Sequence, residues 1–500
     1  MREGGKSERK KEIRPLFFRS LSKKKNLSFS FQRDPSIKPP PKVRIDHFPV
    51  GPPMMNALME ETLAAMREDK GEGDDDEEEE EEVLVEEEEE EEEAENGNGK
   101  QRFRKRRKKH GKSRGGPLRR KLFQANFHTT LNGECVVTLL YHRNLGDEAE
   151  GAAWTEAAQI LKDRLLRAAS GFGCKSVDVI GRSRGVARVV EKDHVEEVLE
   201  VEFGGRKKEE GEEENSSSSS SSFSSSFPLR RSLRYRQTEG SFSQPNGRVC
   251  QSMLGWAWRA ALGDEGSSRR NDDLLELYCG NGNFTAAFAP AFRRVVATEV
   301  SRSGVASAVI NLKENETEGD DVVVARADAD RVAAALAALD RKGDGEEGDV
   351  VASSSGEEKP ENGENENADD EEKTKEEEDV FSGVTPTSLG GNADLSTYDL
   401  RTLFVDPPRA GVGPVTERVL ERFDRVLYVS CNPESLAGDV ARLVNGDRGG
   451  RLGGGIDGEQ PSHDGTHEIT AAAVFDQFPY TDHIECGLLL ERKKRKNCDN

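Results

Sequence analysis

The sequence predicts an α/β protein whose main domain, over residues 231–493, is a doubly wound, mostly parallel sheet with an antiparallel last strand. Three observations carry this. Apolar β-type runs alternate with amphipathic helical stretches from residue 273 onward. A glycine turn, "YCGNGN", joins the first of those runs to a helix. Asp406 and Cys431 both fall where an apolar run stops, the place at which open sheets of this kind hold their ligands.

In chain order, residues 1–41 form a basic, serine-rich lead expected to be disordered. "KVRIDHFPVGPPMMNALMEETLAAMRE" (42–68) reads as a short strand, a turn and an amphipathic helix. A low-complexity insertion follows over 71–121, first polyglutamate and then the basic "KQRFRKRRKKHGKSRGGPLRRK" (100–121). "LFQANFHTTLNGECVVTLLYHRNL" gives two strands about the Asn132-Gly133 turn, and "WTEAAQILKDRLLRAAS" gives a helix. "SVDVIGRSRGVARVVEKDHVEEVLEVEF" supplies more strand before a second insertion, 204–227, with its polyserine run. Residues 42–230 thus make a smaller α/β region, an order of elements compatible with RNA binding and with many other small domains. Strands are then expected at 273–278, 294–300, 321–325, 401–406 and 425–430. Helices are expected from residue 283 and over 303–313, 329–340, 414–422 and 434–444, with two last strands at 468–475 and 484–491. An acidic insertion, 343–395, interrupts the series.

Charged residues make up 34% of the chain and hydrophobic ones 33%, so the folded part is smaller than 500 residues. Residues 71–95 hold 19 acids and no base, and residues 343–380 hold 17 acids against three lysines. The rest carries about +10 against the overall −23, which suits a polyanionic partner. The seven cysteines include no CxxC pair, which argues against a zinc knuckle or an iron–sulfur cluster and for a reducing, intracellular compartment. No apolar run approaches the roughly 20 residues of a membrane span. The lead has the Lys, Arg and Ser content of an organelle transit peptide but also carries Glu3, Glu8 and Glu12. Cytoplasm is therefore the first expectation, with nucleus or organelle as alternatives.

In "LLELYCGNGNF", Gly280 and Gly282 let backbone approach a ligand and Asn283 offers an amide, while Thr285 stands where a dinucleotide loop wants a third glycine. Glu299 ends the second strand 17 residues after Gly282, where a carboxylate can take both hydroxyls of a ribose. That pair fits NAD or S-adenosylmethionine. In "LFVDPPRAGV", Asp406 precedes two prolines that force a rigid extended turn without backbone donors. Cys431 in "VLYVSCNPESL" then has a chemical reason to stand at a strand end. Carbon 5 of a pyrimidine is too poor a nucleophile to take a sulfonium methyl until a thiolate adds to C6. A base must afterwards remove the C5 proton. Glu485, entering the last apolar strand in "HIECGLLLERK", supplies a carboxylate. Singly, Cys431 also reads as a small core residue, Glu485 as a surface charge and Asp-Pro-Pro as a strand-ending turn. Jointly they make one machine.

These blocks, with "GSFSQPN" (240–246), "VVATEVSRSGVASAVINL" and "FDQFPYTDHIECGLLLERK", resemble the tRNA (uracil-5-)-methyltransferase family over nearly all of 230–493 outside the insertions. The resemblance implies a Rossmann-like class I methyltransferase domain, S-adenosylmethionine as methyl donor, no metal, tRNA as partner and 5-methyluridine in the T-loop as product. It implies that Gln244, Tyr278, Asn283, Glu299 and Asp406 contact the donor, with Cys431 as nucleophile and Glu485 as proton acceptor. The stretches at 44–59 and 121–145 resemble the family's N-terminal RNA-binding region. Two departures stand out: only a basic, serine-rich lead stands before "RIDHFP" where the family has further strands, so either those strands are lost or the chain begins with sequence that is not the natural start, and the low-complexity insertions are foreign to compact members. Related ribosomal-RNA enzymes often carry an iron–sulfur cluster on N-terminal cysteines, which favours the tRNA branch here. The competing readings are a ribosomal-RNA uridine methyltransferase, a nicotinamide-dependent dehydrogenase, which leaves Asp406, Cys431 and Glu485 without work, and a non-catalytic tRNA-binding or folding protein. A monomer is the expected state.

Overall fold

The computed structural model describes residues 29–32, 42–45, 51–70, 115–203, 230–262, 269–319, 321–343, 388–389, 393–446, 465–479, 481 and 483–494. The polyglutamate tract, the polyserine run, residues 100–114 of the basic stretch and nearly all of the acidic insertion lie outside them. The chain divides into two compact units, one of residues 1–129 and 133–193, the other of residues 130–132 and 194–500.

In the first unit, β1 (Phe29–Gln32) pairs antiparallel with β2 (Lys42–Ile45), so a strand lies in the lead that the sequence reading left disordered. Helix α1 (Pro53–Glu68) starts on a proline, whose missing N–H is unneeded in a first turn. It buries Leu58, Met59, Leu63 and Met66. Strands β3 (Leu122–Thr129) and β4 (Glu134–Tyr141) form the hairpin about Asn132-Gly133. Helix α2 (Glu148–Ser170) is capped by the Asp147 carboxylate, which accepts from the Glu150 N–H at 3.0 Å. It carries the chain over to β5 (Ser176–Ser183), parallel to β4, and β6 (Val186–Val189) closes the order β3-β4-β5-β6. The fully buried Trp154 of α2 donates its indole N–H to the Tyr141 hydroxyl at 2.8 Å, which satisfies the ring's one polar atom.

The second unit includes an antiparallel pair, β7 (His194–Glu202) and β8 (Arg230–Thr238). Helix α3 (Gly247–Leu262) follows; the sequence reading named neither β8 nor α3. Its apolar residues Cys250, Met253, Leu254, Ala257, Trp258 and Ala261 are all buried and recur at helical spacing, a legible signal. Then come β9 (Asp273–Leu277), α4 (Asn283–Phe288), β10 (Val295–Glu299), α5 (Arg302–Glu314), β11 (Val322–Arg326) and α6 (Ala329–Gly343). After the insertion follow β12 (Leu400–Val405), α7 (Gly413–Leu420), β13 (Arg425–Ser430), α8 (Pro433–Asn445), β14 (His467–Phe475) and β15 (Glu485–Arg492).

These strands form one seven-stranded sheet in the order β11-β10-β9-β12-β13-β15-β14. The first five run parallel and β15 is antiparallel to both neighbours, the predicted doubly wound topology. Both faces are covered, so successive residues of a strand enter different cores. Phe404 and Leu427 pack with Met253, Trp258 and Phe288 on one face. Leu403, Val405 and Val426 pack with Leu336, Leu420 and Leu436 on the other. The chain leaves β9 towards β10 and β11, and later fills β12 and β13 on the other side. The order therefore reverses between β9 and β12, and their C-terminal ends frame the crevice where such sheets bind ligands.

Candidate active site

On the β9 side the chain makes a tight left-handed passage. Tyr278, Gly280 and Gly282 have φ of 61°, 57° and 77°. For a tyrosine this region costs on the order of 1–3 kcal/mol, strain of a kind that concentrates at functional sites. A Cβ at Gly280 would have nothing within 4 Å, so the loop faces open space there. The loop is held from behind. Gly280 N–H donates to Glu299 Oε2 at 3.1 Å and Ser301 N–H to Oε1 at 2.8 Å, which fixes that carboxylate at the end of β10. The buried Asn311 of α5 donates to the Asn281 carbonyl at 2.8 Å. Asn283 opens α4 with its amide 3.4 Å from Cys250 Sγ. Beneath the loop, Glu276 interrupts the apolar run of β9; it is 1% exposed and its Oε2 has no partner. Burial pushes this carboxyl up to about 8 and Asp406 adds to the rise, while the Thr285 hydroxyl beside it pulls the other way.

On the β13 side the register settles the geometry. Ser430 pairs with Cys486 across the antiparallel β13–β15 ladder. The next residue of β13 and the preceding one of β15, Cys431 and Glu485, therefore share one sheet edge. Asp406 follows β12 directly, one strand over. Arg409 completes the group: its guanidinium hydrogen-bonds the Cys431 thiol and lies near Glu485. Its carbonyl accepts from the Asn432 side chain at 2.9 Å. The loop that carries Arg409 is anchored by Asp439 of α8, which accepts from the Val412 N–H at 3.0 Å and from the Tyr428 hydroxyl. Gly411, at φ 84°, permits that approach, since a Cβ there would lie 2.3 Å from Asp439 Oδ2.

The electrostatics follow from burial. Glu485 is pushed up to about 7 by burial, with Arg409 pulling the other way. Asp406 is pushed up to about 8 by burial and by Glu485. The Cys431 thiol is raised by burial and by Glu485, while Arg409 opposes both. A thiol, a carboxyl raised towards neutrality and a cation thus meet at one edge, a set of groups suited to addition of a thiolate followed by proton abstraction.

Of the residues expected from sequence, Cys431, Glu485 and Asp406 come together directly. Asn283 stands at the same edge, touching Cys250, whose thiol is raised to about 12 by burial with Asp406 among the nearby charges. Glu299 is tied to the Gly280 loop. Gln244 accepts from the buried Gln477 at 2.7 Å. Tyr278 is turned towards Thr416 of α7, with burial raising its hydroxyl. Sequence reasoning missed Arg409, Glu276, Asn311 and Gln477. Glu276 had a signal, a lone acid within an apolar run; Asn311 and Gln477 had none. Among the described residues no group of His, Cys, Asp and Glu is placed to hold a metal ion.

The family model described as tRNA (Uracil-5-)-methyltransferase matches residues 106–219, 228–342, 381–453 and 460–493. A tRNA/tmRNA (uracil-C(5))-methyltransferase of Ectopseudomonas mendocina is 38% identical over 373 residues, 75% of this chain and 71% of the relative. One of the same description from Azotobacter vinelandii is 39% identical over 373 residues, 75% of this chain and 72% of the relative. Among solved structures, the Pyrococcus abyssi tRNA (uracil-54, C5)-methyltransferase with S-adenosyl-L-homocysteine aligns at 17% identity and a TM-score of 0.38, over 74% of this chain and 60% of that one. The chain belongs to the tRNA (uracil-5-)-methyltransferase family and is an S-adenosylmethionine-dependent methyltransferase.

Proposed function

We propose that the chain methylates C5 of a uridine in tRNA, the T-loop uridine by its family resemblance, through a covalent adduct between Cys431 and C6. The observation that supports this most is the β13–β15 register, which sets Cys431 and Glu485 at one edge beside Asp406. The residues present fit the methyl donor. The Gly280 loop offers open space, Glu299 stands at the β10 end for a ribose, and the unpartnered Glu276 Oε2 and the raised Asp406 suit a ligand that brings positive charge. Gln244, Tyr278 and Asn283 are assigned to the same ligand by resemblance. When bound, S-adenosylmethionine supplies an electrophilic methyl group.

The chain's own residues do the rest. Arg409 favours the thiolate of Cys431 by hydrogen bond and charge. That thiolate adds to C6, a C–S bond forms, and the C5=C6 electron pair makes C5 nucleophilic. Once C5 carries the methyl group, Glu485 takes the C5 proton, the double bond re-forms and the thiolate leaves. A carboxyl near 7 is half ionised at neutral pH and serves as a base there.

The basic charge outside the acidic tracts supports tRNA as partner, and the bacterial relatives support a cytoplasmic placement over a nuclear or organellar one. Among the described residues no helix is long and apolar enough to cross a membrane. The test is incubation with labelled S-adenosylmethionine and unmodified tRNA, followed by nucleoside identification. 5-Methyluridine at one T-loop position supports the reading, and its absence with both tRNA and ribosomal RNA refutes it. A 5-fluorouridine tRNA should remain joined to Cys431, because fluorine cannot leave as a proton does.

A further inference from the structure

The first unit holds two thiols that the chemistry above does not use. Cys135 is the second residue of β4, and Cys174 lies two residues before β5. The two strands pair in parallel with Cys135 opposite Val177, so the chain returning from α2 brings Cys174 up beside Cys135. Their sulfurs are 3.6 Å apart. Met54 Sδ sits 3.4 Å from Cys135 Sγ, and the Ser176 carbonyl 3.4 Å from Cys174 Sγ. The backbone around them is clamped: Cys174 N–H donates to the Ala169 carbonyl at 3.3 Å, and Lys175 N–H to the Gly133 carbonyl at 2.7 Å. A disulfide needs its sulfurs at about 2.05 Å, a closure of about 1.5 Å from their present separation.

We propose that Cys135 and Cys174 are a redox-active pair that a hydroperoxide closes reversibly to an intramolecular disulfide. Cys174 is the more accessible, at 6% exposure against 1%, and its hydrogen bond with Cys135 holds its thiol below the usual range. Its thiolate attacks one peroxide oxygen; an S–O bond forms, the O–O bond breaks and the first water leaves with a proton. Cys135 then attacks the sulfenic sulfur, the S–S bond forms, the S–O bond breaks and a second water leaves. One hydrogen peroxide is reduced to two waters, and two thiols are oxidised to one disulfide. A dithiol reverses the step. The bridge spans a sequence separation of 39 residues and encloses the whole β4–α2–β5 crossover, so it stiffens the unit built on that crossover.

The test treats the full chain with hydrogen peroxide, alkylates free thiols, digests without reduction and maps the peptides by mass spectrometry. A Cys135–Cys174 linkage is expected, reversed by dithiothreitol and accompanied by a rise of several degrees in Tm. Cys174→Ser abolishes both. Cys135→Ala removes the resolving thiol, so Cys174 is trapped as a dimedone-reactive sulfenic acid. Oxidation of Cys431 is read on its own peptide and does not confuse the map. If Cys135 and Cys174 are recovered alkylated, and only after denaturation, the pair is inert core packing around Met54 and the proposal is overturned.

Discussion

Replacing Glu485 by Gln keeps the shape of the side chain and removes its basicity, so the reaction should fail chiefly at proton abstraction, while loss of the charge that raises the Cys431 thiol should ease adduct formation. The carboxyl is buried at the start of β15 and titrates near 7. Its ionised fraction therefore rises from about one tenth at pH 6 to about nine tenths at pH 8, and proton abstraction should rise roughly ninefold over that range. Without the base, abstraction loses a factor on the order of 10²–10⁴. The assay is a single turnover on tRNA carrying tritium at C5 of uridine, with tritium release and methyl incorporation followed together. The variant should incorporate methyl, release tritium slowly and accumulate a protein–tRNA band on a denaturing gel. Because the Cys431 thiol is also raised, the pH dependence of adduct formation must be recorded separately; it should persist in the Gln variant while that of tritium release disappears. Tritium release at the wild-type rate, or no retained adduct, would refute the role given to Glu485.

Arg409→Leu removes the cation that opposes the rise of the Cys431 thiol, so adduct formation should slow by about tenfold or more and recover as pH is raised, checked by iodoacetamide alkylation of Cys431 against pH. Glu276 has its folded value raised from 4.5 to about 8, so stability is fully present below 4.5 and is lost as pH rises through 8. The rise corresponds to up to about 5 kcal/mol, and Glu276→Gln should flatten the fall in Tm between pH 5 and 8. Gly411→Ala places a Cβ against Asp439 at a left-handed backbone position and should cost about 1–3 kcal/mol in the loop that carries Arg409, lowering activity while circular dichroism stays native.

The parallel sheet was legible because its strands are short apolar runs set between amphipathic helices, and each expected strand from 273 onward has its counterpart. Cys431, Asp406 and Glu485 were legible for a related reason: each is a polar residue where such a run begins or ends. The elements that escaped carry different signals. β8, "RRSLRYRQT", buries only Leu233, Tyr235 and Gln237, every second residue, under a surface of arginines that hides the pattern. Arg409 escaped because nothing in its local sequence says that its guanidinium turns back to a strand end 22 residues later. Asn311 lies on a helix face and serves a loop 30 residues earlier, and only the fold brings that pair together.

The two edges of the sheet treat buried acids differently. Asp273 starts β9 at the N-terminal edge and is fully buried, yet its carboxyl stays below the usual range. Burial pushes it up, but Arg293 at 2.8 and 2.6 Å, Arg294 at 2.9 Å and the Asp399 N–H at 2.8 Å outweigh that. An acid so paired is structural, and removing one partner would leave a buried charge uncompensated. At the C-terminal edge, Glu276, Asp406 and Glu485 are raised by burial to between about 7 and 8, with Arg409 the cation that opposes the rise at Glu485. Folding alone does not favour three such carboxyls at one edge, since each loses hydration without gaining a full partner. A ligand that brings positive charge to that edge supplies what is missing, and a sulfonium donor does so while its neutral product does not. We propose that these acids, which destabilise the folded chain at high pH, favour a sulfonium donor over its spent form at the loop that follows the strained passage at Tyr278.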